Sequence, residues 1–117
     1  MRAYYAAYNA EDAGRLATLL AEDVVLSSAA GTTRGREAYL KTYRYMVGTF
    51  EDRMTPERID VAGDRTTVRI TDRLTARNDV PDFLGQSLRA GETIVLNLIG
   101  RYRIADGKIA EIEIAAA

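Results

Sequence analysis

The sequence predicts an α+β domain in which about three helices, all in the first half of the chain, pack on one face of a mostly antiparallel sheet. Three observations carry this reading. Apolar residues recur at helical spacing up to Phe50 and alternate from about Arg58 onward. Turn words separate the alternating runs. The 117 residues, 47% of them hydrophobic, suffice for one core and not for two, so residues 1–117 form a single expected domain.

Arg2 to Ala10 is rich in Ala and Tyr and holds no Gly or Pro, the pattern of a first helix. Asp12 is a fitting N-cap for a second helix, which carries Leu16, Leu19 and Leu20 at core spacing before Glu22-Asp23. Val24-Val25-Leu26 begins a strand. Ala30-Gly31 is a turn, and Thr32-Thr33-Arg34 returns as a short second strand. Gly35 to Phe50 forms the third helix, because Tyr39, Tyr43, Met46 and Phe50 make one stripe. Four strands follow from about Arg58. Ala62-Gly63-Asp64, a long loop from Asp79 to Gly91, and Ala105-Asp106-Gly107 divide them, the last as a tight hairpin.

Composition narrows the chemistry. Sixteen basic and seventeen acidic side chains leave a net charge of −1, which gives no electrostatic footprint for nucleic acid or an anionic membrane. No run approaches the roughly 20 apolar residues of a membrane span, and no basic and apolar leader opens the chain, so the cytoplasm is the default expectation. Only two of the sixteen basic residues are Lys, which we read as genome composition rather than arginine chemistry. Without Cys there is no disulfide or thiol nucleophile, and without His there is no imidazole base or ligand. An enzyme of this composition must use Asp, Glu, Tyr, Lys or Arg for proton transfer. Neither metal nor other cofactor is expected, because the acidic residues form no compact cation-binding loop.

Four words in order carry a family resemblance: Tyr4-Tyr5-Ala6-Ala7-Tyr8-Asn9-Ala10-Glu11-Asp12, Leu19-Leu20-Ala21-Glu22-Asp23-Val24-Val25, Arg34-Gly35-Arg36-Glu37-Ala38, and Tyr102-Arg103-Ile104-Ala105-Asp106-Gly107-Lys108-Ile109. Together they resemble the nuclear transport factor 2-like superfamily in its SnoaL-like branch, over nearly the whole chain. The resemblance implies a cone-shaped curved sheet wrapped around the helices, an internal pocket, and a homodimer through the outer sheet face. It leaves function open, since that superfamily holds isomerases, cyclases, dehydratases, epoxide hydrolases and non-catalytic binders.

Carried over residue by residue, most family sites are replaced. Tyr4 matches the pocket-facing tyrosine of ketosteroid isomerases, but Ser28 stands at their catalytic base and Gly100 at their second oxyanion-binding acid. The last-strand aspartate of polyketide cyclases and limonene-type epoxide hydrolases falls on Ile114, with Glu111 and Glu113 on the opposite face. The Arg and Asp two residues apart in those hydrolases correspond to Arg73 and Thr75.

The run from Thr66 to Asn78 breaks its own pattern. Val68, Ile70, Asp72, Leu74 and Ala76 share one face; Thr67, Arg69, Thr71, Arg73, Thr75 and Arg77 share the other. Asp72 is therefore expected on an apolar face, where an unpaired charge is costly, so it is either paired or raised in pKa. It is the only acid placed on such a face, and the first candidate for general acid or base. The competing readings are a structural Asp held by a Tyr hydroxyl or a helix end, and a bulge that turns it to solvent.

Six of the seven tyrosines, Tyr4, Tyr5, Tyr8, Tyr39, Tyr43 and Tyr45, lie in the helices expected to roof the pocket. Tyr4 is the candidate oxyanion donor. Tyr8, Tyr39, Tyr43 and Tyr102 are candidate substrate contacts, with plain core packing as the alternative for each ring. Ser28, Leu96, Leu98 and Phe83 complete the expected lining, with Phe83 and Leu84 as lid residues or as hydrophobes tucked under their own loop. Arg69, Arg73 and Arg77 form an outer ladder toward solvent or a partner's acids, and Asn97 lies with Val95 and Ile99 where a dimer interface is expected. The functional expectation is a cofactor-independent acid–base enzyme of isomerase, cyclase, dehydratase or epoxide-hydrolase type, acting on a hydrophobic small molecule. The alternative is a non-catalytic ligand-binding or dimerisation module, or a pure scaffold if the core is closed.

Overall fold

The computed structural model describes residues 1–117. Two short helices, α1 (Arg2–Asn9) and α2 (Ala13–Leu19), precede the hairpin β1 (Leu20–Ser28) and β2 (Gly31–Arg34); α3 (Arg36–Thr49) follows. The rest is strand: β3 (Phe50–Ala62), β4 (Arg65–Ala76), β5 (Val80–Phe83), β6 (Gln86–Leu88), β7 (Thr93–Ala105) and β8 (Lys108–Ala116). One six-stranded sheet runs β2-β1-β8-β7-β4-β3, antiparallel throughout except for the parallel pair β1–β8. The sheet is open, with β2 and β3 as its edges, and this is the expected α+β class. No helix is long and apolar enough to cross a membrane.

Local chemistry explains the boundaries. Asp12 caps α2 by accepting the Arg15 N–H at 3.0 Å, a contact worth about 1 kcal/mol. Asp106 and Gly107 both adopt positive φ, 53° and 75°, as a two-residue type I′ hairpin between β7 and β8 requires.

Several expectations are corrected. Phe50 does not end the third helix; it opens β3, fully buried and paired with Ala76. The long partner β4 claims it, and tertiary pairing overrides the helical stripe. β3 thus begins eight positions before Arg58, and β1 begins at Leu20 rather than Val24, with a bulge between Leu20 and Val25. The expected loop from Asp79 to Gly91 contains the hairpin β5–β6. Arg77 lies beyond β4, outside the ladder: its Nε donates to the Val47 carbonyl at 2.8 Å and its Nη2 meets Glu11 at 3.2 Å. Tyr45 is 60% exposed and roofs nothing, because it falls on the solvent side of α3.

The apolar interior is divided in two. The larger cluster gathers Tyr4, Tyr5, Tyr8, Tyr39, Tyr43 and Tyr102 with Leu16, Leu20, Val68, Ile70 and Ile112 beneath the helices. The smaller holds Phe50, Leu74, Ala76, Val80 and Leu88 under the β5–β6 hairpin. Burying each large apolar side chain contributes about 1.5–3 kcal/mol.

Candidate active site

Alternation along β4 sends Val68, Ile70, Asp72, Leu74 and Ala76 inward, and all five are buried. Asp72 is only 3% exposed. On the neighbouring strand Phe50, Asp52 and Met54 face the same side, and Asp52 is equally withdrawn at 5%. The register pairs Asp52 with Leu74 and Met54 with Asp72, which makes the two aspartates diagonal neighbours on one face. Each carboxyl is thus part of the other's surroundings. They sit at the seam between the two apolar clusters, flanked by Ile70 and Leu74 on β4 and by Phe50 and Met54 on β3.

Desolvation is the largest reason that Asp72 is pushed up to about 9, followed by the neighbouring Asp52 side chain and its charge. Asp72 therefore carries a proton at neutral pH. The only buried side-chain polar atoms without a hydrogen-bond partner are Asp52 Oδ1 and Asp72 Oδ1.

Helix α1 completes the site. The Tyr8 hydroxyl donates to Asp52 Oδ2 at 2.8 Å, and the Tyr43 hydroxyl donates to the Tyr8 carbonyl at 2.8 Å. Burial, then the Asp52 charge, holds the Tyr8 phenol well above its ordinary range, so it remains a donor. Asn9, the next residue, grips the edge strand with its amide: Nδ2 donates to the Met54 carbonyl at 2.7 Å and Oδ1 accepts the Met54 N–H at 2.8 Å. Consecutive residues of α1 thus fix Asp52 and the backbone two residues beyond it.

The other tyrosines bond in pairs. Tyr4 and Tyr39 join hydroxyls at 2.5 Å, and Tyr5 and Tyr102 at 2.6 Å. Tyr4 packs against Tyr8 with ring centroids 6.2 Å apart, one side chain removed from Asp52. Burial is the main cause of the raised pKa in Tyr4, Tyr39 and Tyr102, and it takes Tyr43 to about 12.

The remaining candidates scatter around this centre. Leu96 stands directly opposite Asp72 on β7, and Leu98 opposite Ile70; both are half-buried. Phe83 packs on Phe50 at 4.7 Å, while Leu84 sits at the β5–β6 turn, 58% exposed with φ 52°. Ser28 lies across the sheet on β1, its Oγ accepting the Ala30 N–H at 3.2 Å in the turn. A Cβ on Gly100 would lie 2.8 Å from the Tyr102 ring, so the tyrosine occupies the space that the glycine leaves. Ile114 packs against the larger cluster, while Glu111 and Glu113 pair outside with Arg65, Arg103 and Arg101. A cavity of about 380 Å³ opens at the far end of β4, lined by Tyr4 and Thr66 but not by Asp72.

Asp52 corrects the expectation of a single inward acid. Asp52 faces inward because β3 already begins at Phe50, ahead of the strand start expected near Arg58. The alternation Phe50-Glu51-Asp52-Arg53-Met54 was the available signal.

Known proteins agree with this architecture. The sequence profile of the SnoaL-like domain matches residues 1–112. An epoxide hydrolase of M. tuberculosis, described as LEH-like, superposes with a TM-score of 0.80 at 19% identity, covering 99% of this chain and 78% of that one. A proposed polyketide cyclase from Xanthomonas campestris pv. campestris gives 0.85 at 22% identity, covering 99% and 86%. Another, from Pseudomonas putida, gives 0.79 at 27% identity, covering 97% and 85%. No curated protein matches the chain in sequence. With the profile spanning nearly its whole length, the chain belongs to the SnoaL-like domain family.

Proposed function

We propose that the protein is a cofactor-independent acid–base enzyme acting on a hydrophobic small molecule, with Asp72 and Asp52 as its proton-transferring groups. The observation that carries this reading is a pair of buried carboxyls, Asp72 and Asp52, diagonal neighbours on one apolar face, each with an oxygen that has no partner. Asp72, protonated, donates to a substrate oxygen. Asp52, oriented by the Tyr8 hydroxyl, accepts a proton from substrate carbon or from water. The proton then passes from Asp52 back to the neighbouring Asp72, which restores the pair without an external donor. This inventory fits a proton-shift isomerisation, an enolate cyclisation, a dehydration or the opening of an epoxide by water. In this reading a substrate has to reach the carboxyls past half-buried Met54 and Leu96, and the Tyr4–Tyr39 hydroxyl pair lies near Tyr8.

A second reading, a ligand-binding module without catalysis, is favoured by the occupied space over Gly100 and by the engagement of Ser28 in a turn. A panel of apolar ketones and epoxides separates the two, with turnover and deuterium exchange from solvent as readouts. The enzyme reading expects activity on at least one member, and a loss of 10²-fold or more in both Asp72→Asn and Asp52→Asn. Saturable binding without turnover, or activity unchanged in both variants, would overturn it.

A further inference from the structure

The cavity at the far end of β4 is separate from the carboxyl pair: Thr66 and Asp72 lie roughly 20 Å apart along the same strand. Its volume, about 380 Å³, falls within the roughly 300–1,000 Å³ of small-molecule sites and corresponds to about a dozen water-sized groups. The walls are apolar, with Leu19, Ile59, Ile104 and Ile109 among them, and Val61 stands 71% exposed at the lining.

The polar groups at the lining offer several donors. Thr66 is buried at the lining, 4% exposed, and its hydroxyl enters no side-chain hydrogen bond. The first turn of α1 also borders the cavity through Met1, Arg2 and Ala3. Met1 offers no side-chain cap, and the backbone N–H groups of Arg2 and Ala3 have no acceptor inside the protein. The Arg2 guanidinium adds a full positive charge, and no acidic side chain lines the cavity. An apolar chamber bordered by free backbone N–H groups, a hydroxyl and a cation, with no acid, suits a ligand that is apolar in body and accepts hydrogen bonds at one end.

We propose that this cavity is a second ligand site, which shares only Tyr4 with the acid–base centre, and that it takes a compact apolar carboxylate. The carboxylate receives the α1 N–H groups, the Thr66 hydroxyl and the Arg2 charge, while the hydrocarbon lies against the isoleucines. Octanoate has the size and polarity required, and 1-octanol is its uncharged counterpart.

Amide NMR titration of the full chain with each compound tests the assignment. Octanoate is expected to cause saturable shifts confined to Arg2, Ala3, Thr66, Gly107 and their neighbours, and to bind at least tenfold more tightly than octanol. Thr66→Val, which keeps the shape and removes the hydroxyl, is expected to weaken octanoate about tenfold and to leave octanol unchanged. Arg2→Glu is expected to weaken octanoate further and not octanol. Absence of saturable shifts, equal affinity for the two compounds, or shifts centred on Asp72 would each overturn the proposal. Failure here leaves the carboxyl-pair reading intact, because that one is read from turnover in Asp72→Asn and Asp52→Asn.

Discussion

Asp72 keeps its proton because the apolar seam disfavours the ionised form and because a second carboxyl lies against it. The consequence for stability has a definite sign. With a folded pKa of about 9 against 3.8, the native state holds one more proton than the unfolded chain between these values. Its contribution is fully present below about pH 4 and is lost as pH rises towards 9. Asp72→Asn keeps a donor toward Asp52 and carries no charge to neutralise. It is expected to stabilise the fold at pH 8 by about 1–3 kcal/mol relative to its effect at pH 4, while abolishing turnover. Urea unfolding at the two pH values checks this, and unchanged pH dependence in the variant would contradict it. Gly100 gives a second residue-level expectation. A methyl group there meets Tyr102 Cε2 at 2.8 Å and its hydroxyl oxygen at 2.9 Å, so Gly100→Ala should cost about 1–3 kcal/mol, read as a lower Tm. Asp72 was legible from parity alone. Gly100 was not, because nothing in a linear sequence reveals that the side chain two residues later folds back over it.

At the scale of elements, the contact between α1 and β3 decides the site. Tyr8 and Asn9 are consecutive, and one holds Asp52 while the other holds the backbone of Met54. β3 is an edge strand, so Met54 has no outer strand to bond, and the Asn9 amide takes that role. Asn9→Ala removes both hydrogen bonds and should destabilise the fold by about 1–3 kcal/mol, with much faster hydrogen exchange at the Met54 amide. Tyr8→Phe should leave Asp52 Oδ2 without its donor and lower turnover, with only a modest loss of stability. The helical Tyr pattern in the first word already placed these rings inside. Which hydroxyl meets which acid depends on the register between α1 and β3, which lie more than forty residues apart in sequence.

For the whole molecule, the outer sheet face is where the homodimer expected from the family resemblance is put to the test. Val95 is 51% exposed there, with Arg73 directly opposite on β4 and Ile99 further along β7. A homodimer through this face covers those apolar groups, so sedimentation should give twice the 12.9 kDa of one chain, and Val95→Glu should shift the protein to monomer. A monomer at micromolar concentration in the wild type would exclude it.

The amino-acid sequence by itself determined the α+β class, the order of the helices and of the strands of the main sheet, the inward parity of β4 and the acid at its centre. Each of these follows from local periodicity and turn chemistry, which a linear chain displays directly. The absence of His and Cys likewise confined any proton transfer to carboxyls and phenols. Only the tertiary structure decided that Phe50 leaves the helix, that Asp52 turns inward beside Asp72, and that the open cavity lies at the other end of the strand. The reason is that strand pairing over long sequence separations outweighs local preference, and the interaction of two carboxyls is a property of their separation in space.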